Sequence, residues 1–250
     1  MSNQGTQIIV LTPVKNEDWI LKEFLAATSR FADCIIVADQ NSSDRSASIC
    51  GDFEKVVLIK NDSPDFNESE RQKILIDKAR ALFPNDKRIL LGLDADEIVA
   101  FDSLERIHAW DRIKSLAPGT TLFFEKPDLL PGIAECIRWR TGYFPVGYVD
   151  DGAPHSPKEI HSRRIPKNEN GKNEYIDEIK FLHFAISRNR VQSAKMRYYS
   201  VIENIRKTSP LYLRRKIYRS FFNPLRYGPE ENFETVPAEW IDGWLKAGIA

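Results

Sequence analysis

Three carboxylates stand within four residues at Asp94, Asp96 and Glu97, directly after the apolar run 89–93. An apolar run of this length is typical of a buried strand, and ligands of open α/β sheets bind beyond the carboxyl ends of the strands. Carboxylates held close together repel each other unless a proton or a cation lies between them. Hard divalent cations prefer oxygen ligands and commonly carry substrate phosphates. The pattern therefore indicates a site for Mg²⁺ or Mn²⁺, with an ordinary acidic turn as the alternative.

Two further polar segments follow apolar runs in the same way. Thr-Pro-Val-Lys-Asn-Glu occupies 12–17, and Asp-Gln-Asn-Ser-Ser-Asp occupies 39–44. A carboxylate at position 39 can accept hydrogen bonds from a base or a ribose hydroxyl, and a helix-capping turn after it is a compatible alternative. The sequence contains neither of the usual glycine-rich phosphate-binding signatures. A bound phosphate would therefore depend on a metal and on basic side chains, among which Arg71 and Lys73 are candidates unless they belong to a solvated helix face.

The elements that must position these segments alternate in type. We expect strands at 7–12, 34–39, 56–59 and 89–93, and helices at 17–31 (with Asn16 as its cap), 44–50 and 68–83. Apolar strands alternating with helices predict a parallel sheet covered on both faces, with all carboxyl ends at one edge. Beyond residue 100 we expect a helix at 102–116, strands at 120–125, 133–140 and 179–184, and a mostly helical segment from 188.

The length, net charge and cysteine content of the chain exclude few classes of protein. The chain has 250 residues and a formal net charge of zero, so its overall charge indicates no nucleic-acid partner. Three widely spaced cysteines suggest a reducing compartment. The first residues do not resemble a signal peptide, and no apolar run approaches the length of a membrane span. These features favour a cytoplasmic protein.

The three polar segments, in this order and at the ends of the first, second and fourth strands, resemble the motifs of family 2 glycosyltransferases. A later segment, Phe-Leu-His-Phe at 181–184 followed by Lys195 and Tyr198, resembles bacterial members that build lipopolysaccharide cores or capsules. The resemblance implies a GT-A-type (Rossmann-like) α/β fold, a mostly parallel sheet with helices on both faces and a helical C-terminal region. It also implies a UDP- or GDP-type nucleotide-sugar donor, Mn²⁺ or Mg²⁺, and inversion at the anomeric carbon.

The resemblance also assigns roles to individual residues. It places the donor nucleotide against Thr12, Pro13, Lys15, Glu17, Asp39, Asn41, Ser42, Asp44, Arg71 and Asp94, and the metal against Asp94, Asp96 and His183. A core histidine on an apolar strand is the alternative for His183. The Thr-Glu-Asp motif that often supplies the general base is absent. The candidate bases are Asp150 and Asp151, with Glu159 and Glu178 in reserve.

We expect a catalytic domain at 1–186, divided into a nucleotide-sugar half (1–100) and an acceptor half (101–186), followed by a helical extension at 187–250. Segment 188–219 holds ten basic residues and one acidic residue. It would contact an anionic membrane surface carrying a lipid-linked acceptor, bind a phosphorylated acceptor, or consist of ordinary surface helices. The expected partners are thus a nucleotide-sugar donor and a glycan or lipid-linked acceptor, with no nucleic acid, at a cytoplasmic or peripheral inner-membrane location. A non-catalytic nucleotide-sugar-binding domain and a nucleotidyltransferase on a similar fold are the alternative functions.

Overall fold

The computed structural model describes residues 5–62, 67–138, 142–155, 162–188 and 233–248, together with positions 197, 198, 200, 201, 204, 205 and 210. Its strands are β1 (Thr6–Val14), β2 (Cys34–Asp39), β3 (Val56–Lys60), β4 (Lys87–Gly92), β5 (Glu97–Val99), β6 (Thr121–Glu125), β7 (Asp128–Leu129), β8 (Glu135–Ile137), β9 (Tyr143–Val149), β10 (Asn173–His183) and β11 (Phe233–Thr235). The α-helices whose full extent is described are α1 (Leu21–Thr28), α2 (Ser46–Cys50), α3 (Glu68–Leu82), α4 (Ile107–Ser115) and α5 (Ala238–Lys246). Short 3₁₀ helices cover Phe101–Glu105 and Ala185–Arg188.

One sheet carries these strands in the order β11-β8-β7-β10-β6-β9-β4-β1-β2-β3, and β5 pairs with β10. The neighbours β3, β2, β1 and β4 are all parallel, as continuous apolar strands require when helices cover both faces. Strand β9 lies antiparallel between β4 and β6, and joins this half to a second half in which β10 is parallel to β6.

The core lies on both faces of the parallel strands. Along β1, Ile8 and Val10 pack in a cluster with α1 and α4, whereas Ile9 and Leu11 pack in a second cluster with α3. This alternation follows from the two-residue period of a strand. The predicted α/β fold, with a largely parallel sheet and helices on both faces, is confirmed.

Several boundaries differ from the sequence-based expectations. Strand β1 continues through Pro13 to Val14, because its pairing with β4 ends at Leu11 and the missing proline N–H then breaks no ladder. Helix α1 begins at Leu21 rather than at residue 17. Asn16 has a φ of 56°, in the left-handed region, which is not the extended conformation of a helix cap.

The expected helix at 102–116 is divided into the 3₁₀ helix Phe101–Glu105 and α4. The strand expected at 179–184 is longer, because β10 begins at Asn173 and ends at His183. Of the expected helical C-terminal region, α5 is present, and β11 was not expected. Most of the basic segment 188–219 lies outside the described residues.

Candidate functional site

The carboxyl ends of β1, β2 and β4 lie side by side at one edge of the sheet. Val14 of β1 is opposite Asp39 of β2, and Leu11 of β1 is opposite Gly92 of β4. All three polar segments identified in the sequence therefore emerge at the same edge, which is where open α/β sheets bind ligands.

The first two polar segments are linked to each other by hydrogen bonds. The backbone N–H of Asn16 donates to Ser42 Oγ at 2.9 Å, and that of Glu17 donates to Ser46 Oγ at 2.9 Å. The N–H of residue 18 donates to Asp44 Oδ2 at 3.0 Å. Three successive amides of the loop after β1 are thus bonded to side chains of the loop after β2 and of the first residue of α2. These bonds fix the two loops together and leave those amides unavailable to cradle a phosphate.

Ser42 and Asp44, which the resemblance placed at the nucleotide, accept these loop-to-loop hydrogen bonds. Asp44 also accepts from the Ser46 N–H at 2.9 Å, at the start of α2. Burial raises the pKa of Asp44, but its hydrogen bonds with Ser46 and Asp18 outweigh burial and hold the pKa below the ordinary value. The negatively charged Asp44 therefore links the loop after β1 to the start of α2. Asn41 is exposed, with a φ of 50°.

Two buried oxygen atoms at the strand ends have no hydrogen-bond partner among the described residues. They are Thr12 Oγ1 at the end of β1 and Asp39 Oδ1 at the end of β2. The other carboxylate oxygen of Asp39 accepts from the Ser42 N–H at 3.2 Å. A buried acceptor without a donor costs about 1–3 kcal/mol. Both atoms therefore suit a ligand that brings N–H or O–H groups, such as a nucleoside.

Two basic side chains meet at Gln40, the residue after Asp39. Lys15 Nζ donates to the Gln40 carbonyl oxygen at 2.9 Å, and Arg71 Nη1 donates to Gln40 Oε1 at 3.0 Å. Gln40 itself is buried, directly after β2. The structure therefore brings Lys15 from the first loop and Arg71 from α3 to the same glutamine.

The acidic segment forms a closed turn. The Asp94 N–H donates to Glu97 Oε2 at 3.1 Å, and the Glu97 N–H donates to the Asp94 carbonyl oxygen at 3.0 Å. Glu97 is fully buried and pairs with Arg164 and with Lys126, whose Nζ lies 2.7 Å from Glu97 Oε1. Burial raises the pKa of Glu97, but the two cations outweigh it and hold the pKa well below the usual range. These two cations therefore favour the charged form of Glu97 in the turn.

Arg164 was missed in the sequence. Its guanidinium bonds Asp94 as well as Glu97, and so it joins both ends of the acidic turn. Arg164 lies in the proline-rich and glycine-rich part of the chain, where no periodicity indicates which residue reaches back to the sheet edge.

His183, at the end of β10, lies beside the same turn. Its Nδ1 is bonded to Asp128 of β7, and its Nε2 lies 3.7 Å from Asp96 Oδ1 and 4.0 Å from Glu97 Oε1. Burial and Lys126 lower the pKa of His183, but the carboxylates of Asp128 and Asp96 raise it above the ordinary value. A ring nitrogen this close to two carboxylates needs a proton or a cation between them. His183 Nε2 therefore faces the acidic turn.

Asp128 was also missed, although the sequence contained a signal for it. Lys-Pro-Asp at 126–128 follows the strand β6 as the other polar segments follow theirs. A carboxylate on the far ring nitrogen of a metal-binding histidine is the usual way of fixing the imidazole.

The acidic turn offers a small set of donors to a divalent metal. Within the part of the chain that the structure describes, no group of three or more His, Cys, Asp or Glu side chains is placed to hold one. Asp96 Oδ1 and His183 Nε2, 3.7 Å apart, fit two ligands of one ion at about 2.0–2.2 Å each. Mg²⁺ often uses only one or two carboxylates together with substrate phosphates, and imidazole suits transition metals such as Mn²⁺ better. The pair therefore fits a metal that arrives with a diphosphate, while Asp94 is bonded to Arg164.

The candidate bases lie at the other edge of the sheet. Val149 is opposite Ile89 near the start of β4, so Asp150 and Asp151 follow β9 at the amino end of β4. The six residues of β4 separate that end from the acidic turn by about 20 Å.

Both acids have structural partners there. Asp150 pairs with Arg80 at 2.7 Å and with Arg88 at 2.9 Å, and Asp151 accepts hydrogen bonds from Tyr148 and Asn168. The geometry gives no support to a base at Asp150 or Asp151. Of the reserves, Glu178 pairs with Arg112 at 2.8 Å, and Glu159 lies outside the described residues.

Comparison with known proteins gives partial likenesses of fold. No family profile and no curated protein matches the chain. Similar solved structures include glucosyl-3-phosphoglycerate synthase from Mycobacterium tuberculosis in complex with Mn²⁺, uridine diphosphate and glucosyl-3-phosphoglycerate, with 19% identity, a TM-score of 0.28, and coverage of 37% of this chain and 34% of that chain. A second similar structure is 4-diphosphocytidyl-2C-methyl-D-erythritol synthase, with 17% identity, a TM-score of 0.36, and coverage of 60% of this chain and 70% of that chain. A third is a mycobacterial protein, with 15% identity, a TM-score of 0.33, and coverage of 48% of this chain and 41% of that chain. The match thus spans about a third of the first structure's length, and function has to be argued from this chain's own residues.

Among the described residues, no helix combines the length and the apolar character needed to cross a lipid bilayer.

Proposed function

We propose that this chain is a metal-dependent inverting glycosyltransferase, which moves a sugar from a UDP- or GDP-type nucleotide-sugar donor to a hydroxyl acceptor. One observation carries the proposal. The carboxyl edge of the sheet combines two buried oxygen atoms that have no partner among the described residues, at Thr12 and Asp39, with a carboxylate–imidazole pair at Asp96 and His183. The first two suit a nucleoside, and the second two suit the metal of a diphosphate.

Each group has a task in this mechanism. Asp39 accepts a hydrogen bond from the base or ribose, and Lys15 and Arg71 add positive charge near the nucleotide. Asp96 and His183 hold the metal, which when bound stabilises negative charge on the leaving diphosphate. Asp128 keeps the His183 ring oriented, so that Nε2 faces the acidic turn.

A nucleotidyltransferase on a similar fold is the main alternative. Such enzymes usually bind a triphosphate through a glycine-rich loop after the first strand. Here the amides of Asn16, Glu17 and Asp18 are already bonded to side chains of the next loop. This arrangement favours glycosyl transfer over nucleotidyl transfer.

The acceptor is proposed from charge alone. The basic excess of segment 188–219 suits a glycan or lipid-linked acceptor at the inner face of an anionic membrane, which implies a cytoplasmic or peripheral location. Flotation with vesicles of phosphatidylglycerol tests this part of the proposal, with phosphatidylcholine vesicles as the control. Equal flotation with both, or none, would argue for ordinary surface helices.

The donor site is tested by calorimetric titration with UDP, GDP, CDP and dTDP, with and without Mn²⁺. We expect one diphosphate to bind more tightly when Mn²⁺ is present. Asp39→Asn should weaken its binding by about tenfold or more in both conditions, because a hydrogen bond to a charged group is lost. Asp96→Asn should abolish only the contribution of Mn²⁺. Asp111→Asn, on the exposed side of α4, is the matched control.

The products released on turnover distinguish a glycosyltransferase, a nucleotidyltransferase and a non-catalytic binding domain. Release of the nucleoside diphosphate from a nucleotide sugar, dependent on Mn²⁺, supports glycosyl transfer. Release of pyrophosphate from a nucleoside triphosphate supports the nucleotidyltransferase instead. Tight diphosphate binding without turnover of any donor would indicate a non-catalytic binding domain.

A further inference from the structure

The acidic turn already contains a cation that belongs to the protein. The guanidinium of Arg164 bonds Asp94 through one terminal nitrogen and Glu97 through the other. The nitrogen that bonds Glu97 also lies 3.4 Å from the Gly92 carbonyl oxygen. A planar guanidinium cannot lose its charge under ordinary conditions, and its fork is suited to bridging two acceptors. With Lys126 also paired to Glu97, two of the three acids of the turn have cationic partners from the protein itself.

The segment that carries Arg164 is fixed across the end of β4. A Cβ on Gly92 would stand 2.7 Å from the Arg164 Cβ, so the backbones are in close approach. The Ser162 N–H donates to Glu68 Oε2 at 3.0 Å in the first turn of α3, and Ile165 is buried. The residues on both sides of Arg164 are thus fixed in place, and its guanidinium reaches Asp94 and Glu97 in the acidic turn.

We infer that Arg164 is an internal counter-ion that competes with a divalent cation for Asp94 and Glu97. It withholds these two carboxylates from metal ligation and leaves Asp96 and His183 as the protein's metal ligands. The inference rests on the metal site of the proposed function, which it deepens. Its consequence is a site that binds metal weakly alone and more strongly with the phosphates of the donor.

The test is a titration of the intact protein with Mn²⁺ alone, with the free ion followed by electron paramagnetic resonance. Arg164→Gln removes the charge and frees Asp94, so we expect Mn²⁺ to bind about tenfold or more tightly than to the wild type, because affinity rises with the charge of the available ligands. Arg163→Gln removes an exposed neighbouring charge and is the matched control, with no comparable gain. A gain of affinity is not the result of structural damage.

A double variant identifies the carboxylate responsible. If Asp94 is the ligand that Arg164 withholds, Arg164→Gln combined with Asp94→Asn should return to an affinity near that of the wild type, a coupling that independent sites would not show. An unchanged or weaker affinity for Mn²⁺ in folded Arg164→Gln would overturn the inference.

A second measurement covers the case in which Arg164→Gln does not fold. Asp94→Asn and Asp96→Asn are then compared in the otherwise native protein. The inference requires that only Asp96→Asn reduces Mn²⁺ binding in the presence of UDP, and equal losses in both variants contradict it. Failure of the wild type to bind any of the four nucleoside diphosphates with Mn²⁺ would count against the proposed function, whereas the comparison of Arg164→Gln with the wild type on Mn²⁺ alone tests the counter-ion separately.

Discussion

Buried carboxylates in this protein have different partners, and the partners decide what each can do. Glu97 and Asp150 are each bonded to two cationic side chains. Asp39 keeps one buried oxygen without a partner among the described residues. The first two are therefore structural charges, whereas Asp39 is suited to a ligand.

Among single residues, Asp128 is expected to fix the orientation of the His183 imidazole. Asp128→Asn removes the charge that fixes the ring, and such changes around a metal-binding histidine weaken metal affinity by about 10–100-fold. The measurement is calorimetric titration of UDP with Mn²⁺, with Asp111→Asn as the control. Unchanged binding in Asp128→Asn would show that His183 does not ligate the metal.

Asp150 gives a prediction about pH. Burial raises its pKa, but the hydrogen bonds from Arg80 and Arg88 outweigh burial and lower the pKa below the ordinary value. A lowered folded-state pKa stabilises the protein above the unfolded-state pKa of about 3.9, and this contribution is lost as the pH falls toward the folded-state pKa.

We therefore expect Asp150→Asn to lower the free energy of unfolding by about 3 kcal/mol at pH 7, because two largely buried guanidiniums lose their partner. The difference from the wild type should shrink below about pH 4. Urea unfolding at a series of pH values measures it. A difference that stays constant with pH would rule out the ionised pair as its source.

At the scale of elements, α5 is packed against the segment that follows the acidic turn. Trp244 Nε1 donates to the Val99 carbonyl oxygen at 2.9 Å, and the Trp244 ring packs edge-on against Phe101 at 5.0 Å between centroids. A Cβ on Gly243 would stand 2.1 Å from the Phe101 ring. The contact thus requires glycine at this position of the helix.

Gly243→Ala should consequently destabilise the protein, although alanine has a higher helix propensity than glycine. In an exposed helix the change gains about 1 kcal/mol, but here we expect a net loss of about 1–3 kcal/mol from overpacking. Urea unfolding measures the loss, and Leu245→Ala on the exposed side of the same helix is the control. An increase in stability would mean that α5 does not pack closely on Phe101.

The sequence predicted those elements whose signal is local. Apolar runs located β1, β2, β3 and β4, and parallel pairing then placed their polar ends at one edge. Arg164 could not be predicted in this way, because it comes from an irregular segment with no periodic pattern around it. Asp128 follows β6 as the other polar segments follow their strands, but the sequence does not show that it meets His183.

The position of the predicted bases also depends on a property that the sequence does not predict. Asp150 and Asp151 stand in a good turn sequence after a strand, as the acids at 94–97 do. Strand β9 is antiparallel to β4, however, so its carboxyl end lies at the opposite edge of the sheet. Strand direction in the second half depends on long-range pairing, which a single sequence does not reveal.

At the scale of the whole molecule, all three cysteines are buried and free. Burial raises the pKa of Cys50 and of Cys136 to about 11, and burial also raises that of Cys34. We expect the native protein to react slowly with a thiol-specific disulfide reagent at pH 8, and all three thiols to react at once in urea. Rapid modification of one thiol in the native protein would contradict this packing.

The acidic turn is made in the first half of the chain, but its cations and its histidine come later. Lys126, Arg164 and His183 all follow Asp94 and Glu97 in the chain. During synthesis on the ribosome, the turn therefore emerges with its negative charges uncompensated. Under the proposed function, we therefore expect donor binding to require translation through β10, which ends at His183.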